Sequence, residues 1–113
     1  MTEATQIQGR TTIAPEVLVS IAKLSALSVP GVYHMAPVPT HVSTFLKPRG
    51  MDGVHIAVTG NLVTVDLYLI LNKDVNVREV SKAVQARVAR AIREMVGLEP
   101  GTITIHVEDI HYS

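Results

Sequence analysis

The chain has 113 residues, of which 47% are apolar and 18% are charged, so it can bury one hydrophobic core and lacks the composition of a disordered protein. Ten basic and ten acidic residues cancel, which excludes the whole-molecule positive field that is typical of nucleic-acid-binding proteins. The absence of cysteine excludes disulfides, thiolate nucleophiles and cysteine-based zinc sites.

The first predicted elements are a strand and a helix. Residues 7–13 alternate weakly between apolar and polar side chains, which predicts a short strand at a sheet edge. Pro15 suits the first position of a helix that ends near residue 28, before Pro30 and Gly31. The apolar face of this helix is predicted to contain Val17, Leu18, Ile21 and Leu24, and Ala22 and Ala26 would allow a neighbouring element to approach closely.

Residues 33–52 have no regular pattern. They contain three prolines and the single phenylalanine, Phe45, which predicts an irregular connecting segment. A short helical turn fits at 40–46.

The clearest local pattern is a β-hairpin. Gly60 and Asn61 separate two alternating apolar runs, at 54–58 and 62–71, as in a tight two-residue turn. This turn sets a register in which apolar residues lie opposite apolar residues on one face of the hairpin, and the more polar residues lie opposite each other on the other face. It places Val58 opposite Val63, Ile56 opposite Val65 and Val54 opposite Leu67 on one face, and His55 opposite Asp66 and Ala57 opposite Thr64 on the other.

A long helix and a last strand complete the chain. Asn76 followed by Glu79 predicts a capped helix start, and Gly97 predicts its end. The apolar stripe between them consists of Val77, Val80, Val84, Val88, Ala91, Ile92 and Met95. The last strand is predicted from Thr102 to Tyr112, with Ile103, Ile105 and Val107 on one face and Thr104, His106 and Glu108 on the other.

The resulting β-α-β-β-α-β order predicts a single α+β domain over residues 1–113. Two helices would pack on one face of a mostly antiparallel sheet, and a ferredoxin-like arrangement is the simplest that fits. We expect no signal peptide, since the N-terminus lacks a basic start and an apolar run. We also expect no direct membrane insertion, because no apolar stretch approaches the roughly 20 residues that span a bilayer.

No motif for catalysis is present. The chain has no nucleophile elbow and no glycine-rich phosphate loop, so we expect no enzyme activity, no catalytic residues and no cofactor. Of the histidines, His34 and His41 fall in the irregular segment and His111 lies near the end. A metal site remains an alternative only if the last strand brings His55, Asp66, His106 and Glu108 together on the outer sheet face, where outward-facing polar side chains are the simpler interpretation.

Three surfaces are candidates for binding. The outer sheet face carries more apolar residues than solvent exposure requires, and alanines flatten the outer side of the long helix. The residues predicted to bind a partner, including a second copy of the chain, are Ala57, Tyr68, Ile70, Ile110, Ala83, Ala86 and Ala89. The third surface is basic and could bind RNA or anionic lipid, although a solvated helix face is the favoured interpretation. Its residues are Arg78, Lys82, Arg87, Arg90 and Arg93.

A set of short motifs follows in order along nearly the whole chain except 33–52. These are Gly9, Ile13, Val17, Ile21, Ala22, Pro30-Gly31-Val32, Gly53-Val54, Val65 to Ile70, Val80, Val84-Gln85, Val88, Gly97-Leu98 and Ile105 to Ile110. Their order resembles the alkaline-shock-protein family of bacterial envelope stress response proteins.

The resemblance implies a cytoplasmic bacterial protein with a role in cell-envelope homeostasis. The resemblance also implies the properties of some members, which self-associate and are held at the membrane by a membrane-anchored protein partner, so a scaffold or adaptor is the expected function. The resemblance implies no reaction and no catalytic residues. Because the chain ends directly after its last strand, we expect a short, single-domain branch without the charged tail of longer members.

Overall fold

The computed structural model describes residues 14–37 and 53–112. In chain order these form helix α1 (Pro15–Leu27), strands β1 (Val32–Met35), β2 (Val54–Thr59) and β3 (Leu62–Asn72), helix α2 (Val77–Ala91) continued by a π-helical turn (Ile92–Val96), and strand β4 (Glu99–His111). The strand predicted at 7–13 and the helical turn predicted at 40–46 lie outside the described residues.

Strand β3 lies at the centre of the sheet. One edge pairs in parallel with β4, from Leu62 opposite Glu99 to Asn72 opposite His111. The other edge is shared by two antiparallel strands, β2 along the first half of β3 and β1 along the second half. The predicted α+β class with a mostly antiparallel sheet is therefore confirmed, and α2 provides the crossover that a parallel pair requires.

The predicted hairpin register is confirmed. Val58 lies opposite Val63, Val54 opposite Leu67 and His55 opposite Asp66. Gly60, in the turn, has a φ of 61°, a conformation that glycine adopts without the steric cost of a Cβ atom.

Both helices pack on one face of the sheet and bury its centre. β3 contributes alternate residues that are fully buried, at Val63, Val65, Leu67, Leu69 and Leu71. Burial of each such side chain stabilises the fold by about 1.5–3 kcal/mol. The helices cover these residues with Val19, Ala22 and Ala26 from α1 and Val80, Val84, Val88 and Ile92 from α2 and its π-turn.

The buried face of α1 differs from the predicted stripe. Ala22 and Ala26 are almost fully buried, as their small size predicted, and α1 packs along the line through these two residues. Leu24 therefore lies on the flank of the helix and is 66% exposed, and Val17 is also exposed. Leu18 is buried as predicted. The prediction that Leu24 and Val17 face the core is wrong, because the alanines allow the closest approach to the sheet.

The long helix begins as predicted and also ends as predicted at Gly97, where φ is 78°, but its last turn is π-helical. The Asn76 side chain accepts a hydrogen bond from the Glu79 backbone N–H at 3.0 Å. At the other end the Gly97 N–H donates to Ile92 C=O, five residues earlier, which is the hydrogen bond of a π-helix. This wider turn leaves Met95 outside the core stripe and 69% exposed, so its predicted burial is wrong. Val77 is exposed as well, because it stands at the first position of α2.

Part of the segment predicted to be irregular is a strand. Val32–Met35 pairs with residues 69–71 of β3, and this pairing depends on a distant part of the chain that local sequence does not reveal. Just beyond it, the Ala36 N–H donates to Tyr68 C=O, and the Tyr68 N–H donates to Gly53 C=O. The two ends of the segment between Ala36 and Gly53 thus meet beside Tyr68.

This junction predicts a strong effect of one glycine substitution. Gly53 has a φ of 81°, and a Cβ there would lie 2.5 Å from the Ala36 carbonyl oxygen. Gly60 also has a positive φ but has no atom within 4 Å of the same position. We expect Gly60→Ala to lower the free energy of unfolding by about 1–2 kcal/mol, the cost of the left-handed backbone alone. Gly53→Ala should cost about 2 kcal/mol more, because the clash with backbone adds to that strain. Equal losses in urea unfolding would contradict this assignment.

Candidate functional site

The outer face of the sheet, which we define as the face turned away from the two helices, carries the polar residues of the hairpin and of β4. The register brings His55 of β2, Asp66 of β3 and Thr104 of β4 side by side, with His106 opposite Tyr68 one step along. Ala57 and Ile70 lie on the same face, the former exposed and the latter half-buried.

The two histidines of this face converge on one carboxylate. His106 Nε2 lies 3.0 Å from Asp66 Oδ1, and His55 Nδ1 lies 3.7 Å from Asp66 Oδ2. The side chains are each about a fifth to a third exposed, so the contacts are partly screened by solvent. His55 and His106 do converge, as the metal alternative required. Within residues 14–37 and 53–112, however, no three His, Asp or Glu side chains are arranged so that they could hold a metal ion.

The remaining histidines lie elsewhere. The ring of His111 stacks on Tyr33 with 3.7 Å between ring centres, and His34 meets the edge of the same tyrosine. His41 lies outside the described residues. His34 of β1 and His111 of β4 therefore pack their rings against Tyr33.

Tyr68 lies on the outer face as predicted, but it is not available for a partner. The side chain is only 4% exposed, because the His106 ring stacks on it at 4.3 Å and nearly parallel, and because Ala36 and Ile70 pack beside it. The expectation that Tyr68 forms a contact surface together with Ile70 is therefore corrected. A charged residue at position 68 would disturb folding as well as any association.

Ile110 does not belong to the outer face. Leu69 lies opposite Val107 but Ile70 lies opposite Asp109, so β4 contains one extra residue at Glu108. Such a bulge reverses the alternation of side chains beyond it. Ile110 consequently lies opposite Leu71 and packs against the main core, on the helix side of the sheet.

The alanines of α2 are divided between solvent and the core. Ala83 and Ala86 are exposed, whereas Ala89 is half-buried and packs against the main core, which corrects its predicted place on the outer side. Next to it, the Gln85 side-chain amide donates to Ile103 C=O at 2.8 Å and ties α2 to β4.

The five basic residues of the predicted anion-binding surface, Arg78, Lys82, Arg87, Arg90 and Arg93, are all exposed. Two of them have partners within the chain. Arg87 Nη1 donates to Ser28 Oγ at 2.7 Å, and Arg90 Nε donates to a Glu94 carboxylate oxygen at 3.2 Å. A carboxylate therefore balances the charge of Arg90, whereas Arg87 is held by a neutral hydroxyl and keeps its charge.

An additional hollow lies between α1 and the end of α2, and the sequence did not indicate it. We call it the helical groove, and its volume is about 480 Å³. It is lined by Ile21, Leu24, Ser25, Ser28, Arg87, Arg90, Ala91, Glu94 and Met95. The exposure of Leu24 and Met95 could not be anticipated from periodicity, because both residues fit the apolar stripes of their helices.

A family model matches residues 3–112 and is described as the alkaline shock protein 23 family, with a cell envelope-related function. The chain belongs to this family. The resemblance found from the short motifs is thereby confirmed, and the cell-envelope-related function applies to this chain.

Bacterial relatives of similar length support the assignment. Uncharacterized protein YqhY of Bacillus subtilis is 29% identical over 106 residues, which cover 92% of this chain and 78% of that protein. Uncharacterized protein Spy1535 of Streptococcus pyogenes is 31% identical over 107 residues, covering 94% and 82%. None of these descriptions names an enzymatic activity.

Solved structures of the MamM CTD share the fold. One variant superposes with a TM-score of 0.58 at 20% identity over 83% of this chain and 94% of that domain. A nickel form gives a TM-score of 0.57 at 18% identity over 87% and 98%. At this level of identity the similarity shows the fold alone.

Within residues 14–37 and 53–112, no helix has the length and apolarity to cross a membrane.

The outer face predicts how stability changes at alkaline pH. Burial, with a smaller effect from the charges of Asp66 and Glu108, raises the pKa of Tyr68 above its ordinary value of 10.0. The folded state therefore favours the neutral phenol, so this contribution to stability is complete below about pH 10, the unfolded pKa, and is lost as the pH rises through the folded pKa.

We expect the free energy of unfolding to fall more steeply above pH 10 in the wild type than in Tyr68→Phe. The difference in slope should approach about 1.4 kcal/mol per pH unit between the unfolded and folded pKa values. Tyr112→Phe is the control, because Tyr112 is exposed and should leave the wild-type slope unchanged. Identical slopes in wild type and Tyr68→Phe would show that folding does not raise the pKa of Tyr68.

Proposed function

We propose that this protein is a non-enzymatic scaffold or adaptor of the cytoplasm that self-associates and supports envelope homeostasis and the envelope stress response. Membership of a cell-envelope-related family supports the cellular setting. In this proposal a membrane-anchored partner protein brings the assembly to the membrane. The protein itself contributes binding surfaces rather than chemistry.

The observation that carries the proposal is the state of the outer sheet face. All the described helices lie on the opposite face, so Ala57, Leu62 and Ile70 are not covered by a helical layer. Ala57 is exposed and Leu62 is 42% exposed, at the end of the hairpin away from Tyr68. An antiparallel sheet with one solvated face is usually polar on that face, and apolar residues there are typical of an interaction site.

The polar cluster on this face supports a structural role. Asp66 is held between His55 and His106, and the ring of His106 covers Tyr68. These contacts fix the orientation of side chains across three strands, which gives the face a defined shape for a partner. They also satisfy the groups that would otherwise be the best candidates for acid–base chemistry.

Nucleic acid is the weaker alternative. The chain has no net charge, and Arg90 already pairs with the Glu94 carboxylate. A protein that binds the phosphate backbone needs cations whose neutralisation releases counterions, and this requirement is only partly met here.

We predict that Ala57→Glu weakens self-association at least about tenfold, because it places charge on the proposed contact face. Ser20→Glu is the control: Ser20 is exposed on α1, on the helix side of the sheet and outside every predicted binding surface, and should leave association unchanged. Sedimentation equilibrium over a wide concentration range measures both. A wild-type protein that stays monomeric throughout would overturn the proposed self-association, and equal weakening by both substitutions would overturn the proposed face.

A further inference from the structure

We propose that the helical groove binds an amphipathic helix of another protein, with apolar residues on one face and acidic residues beside them. This inference goes beyond the proposed function, because self-association through the outer sheet face neither requires it nor excludes it. The groove and the outer sheet face lie on opposite sides of the sheet, since the groove is formed by the two helices.

The floor of the groove is apolar and accessible. Ile21 and Leu24 of α1 face Ala91 and Met95 across it. Leu24 is 66% exposed and Met95 is 69% exposed, an unusual state for two large apolar side chains that lie next to the same hollow. A partner that covers them would bury apolar surface at about 25 cal/mol per Å². Methionine also adapts its shape to different partners.

The π-helical turn accounts for the exposure of Met95. In a continuous α-helix, Met95 would follow Ala91 by one turn and lie on the buried stripe. The Gly97–Ile92 hydrogen bond widens the turn, so Ile92 stays buried while Glu94 and Met95 line the groove. π-turns occur at helix C-termini, and this one determines which side chains border the groove.

The charge of the lining indicates the sign of the partner. Arg87 and Arg90 stand on one side of the apolar floor, with Glu94 as the only carboxylate among the lining residues. Ser28 Oγ accepts from Arg87 and holds its guanidinium at the rim, 2.7 Å away. Arg90 already pairs with Glu94, so the excess positive charge of the lining is that of Arg87, which a neutral hydroxyl orients. A carboxylate of the partner would meet this guanidinium in a charge-assisted hydrogen bond, which is stronger than a neutral one.

Shape and charge distinguish this occupant from the alternatives. A two-fold contact with a second copy would place one hollow against another and would bring the excess positive charges of both copies together. Nucleic acid would leave the apolar floor uncovered. The hollow is an open trough between two helices, and the ridge of a helix fits such a trough, as in other helix-in-groove complexes.

The test is a selection with a defined probe. A phage-displayed library of random peptides of about 16 residues, roughly four helical turns, is selected on the wild-type protein. We expect enriched peptides with apolar residues at helical spacing and a net negative charge. Individual synthetic peptides should bind at least about tenfold more weakly to the double variant Leu24→Gln, Met95→Gln, which keeps helix-forming side chains of similar length.

A second variant tests the charge. Arg87→Gln with Arg90→Gln should weaken the same peptides several-fold and reduce the dependence of their affinity on salt. Arg78→Gln is the control, because Arg78 is exposed on α2 but does not line the groove. Circular dichroism confirms that each variant is folded, and the exposure of the substituted side chains makes unfolding an unexpected result.

Several results would overturn the inference. These are enrichment of no peptide above background, enrichment of basic peptides, and affinities unchanged by the Leu24→Gln, Met95→Gln variant. Loss of self-association in that variant without peptide would identify the groove as an interface between copies. Loss of poly(U) RNA binding in the arginine variant would identify it as a nucleic-acid surface. A monomeric wild type that binds the peptides would refute the proposed self-association and leave the groove assignment intact.

Discussion

The pairing of β3 along both edges is the constraint on which the rest of the structure depends. β3 pairs with β4 along one edge and with β2 and β1 along the other, so its register is fixed. Its alternating side chains therefore point to defined faces of the sheet. The apolar set, including Leu67 and Leu69, is fully buried beneath both helices. The other set, including Asp66 and Tyr68, organises the outer face. The two faces of this molecule therefore follow from one strand.

Local sequence predicts the features that local chemistry determines. The Gly60-Asn61 turn fixes the hairpin, and the side chain of Asn76 fixes the start of α2, so both were predictable. The features that were missed depend on distant contacts. The bulge at Glu108 appears only when β4 is aligned with β3, and it moves Ile110 to the core side. The burial of Tyr68 likewise requires the His106 ring from another strand.

The candidate surfaces were harder to predict than the fold for the same reason. Apolar periodicity places Leu24 and Met95 on core stripes, and it contains no information about the close packing of α1 through its alanines or about the π-turn after α2. Both deviations expose a large apolar side chain, and both occur at the same groove. Ala57, Tyr68 and Ile70 lie on the outer sheet face as predicted, but the accessible part of that face lies toward Ala57 and Leu62 rather than at Tyr68.

Self-association through the outer sheet face would leave the groove on the other side of the sheet free for a different partner. The most direct test is a dilution series in which backbone amide chemical shifts are followed by two-dimensional NMR. We expect concentration-dependent shifts to be concentrated at Ala57, Leu62 and Ile70, while the shifts of Leu24 and Met95 remain constant. Concentration-dependent shifts at Leu24 and Met95, with the outer sheet face unaffected, would contradict self-association through that face.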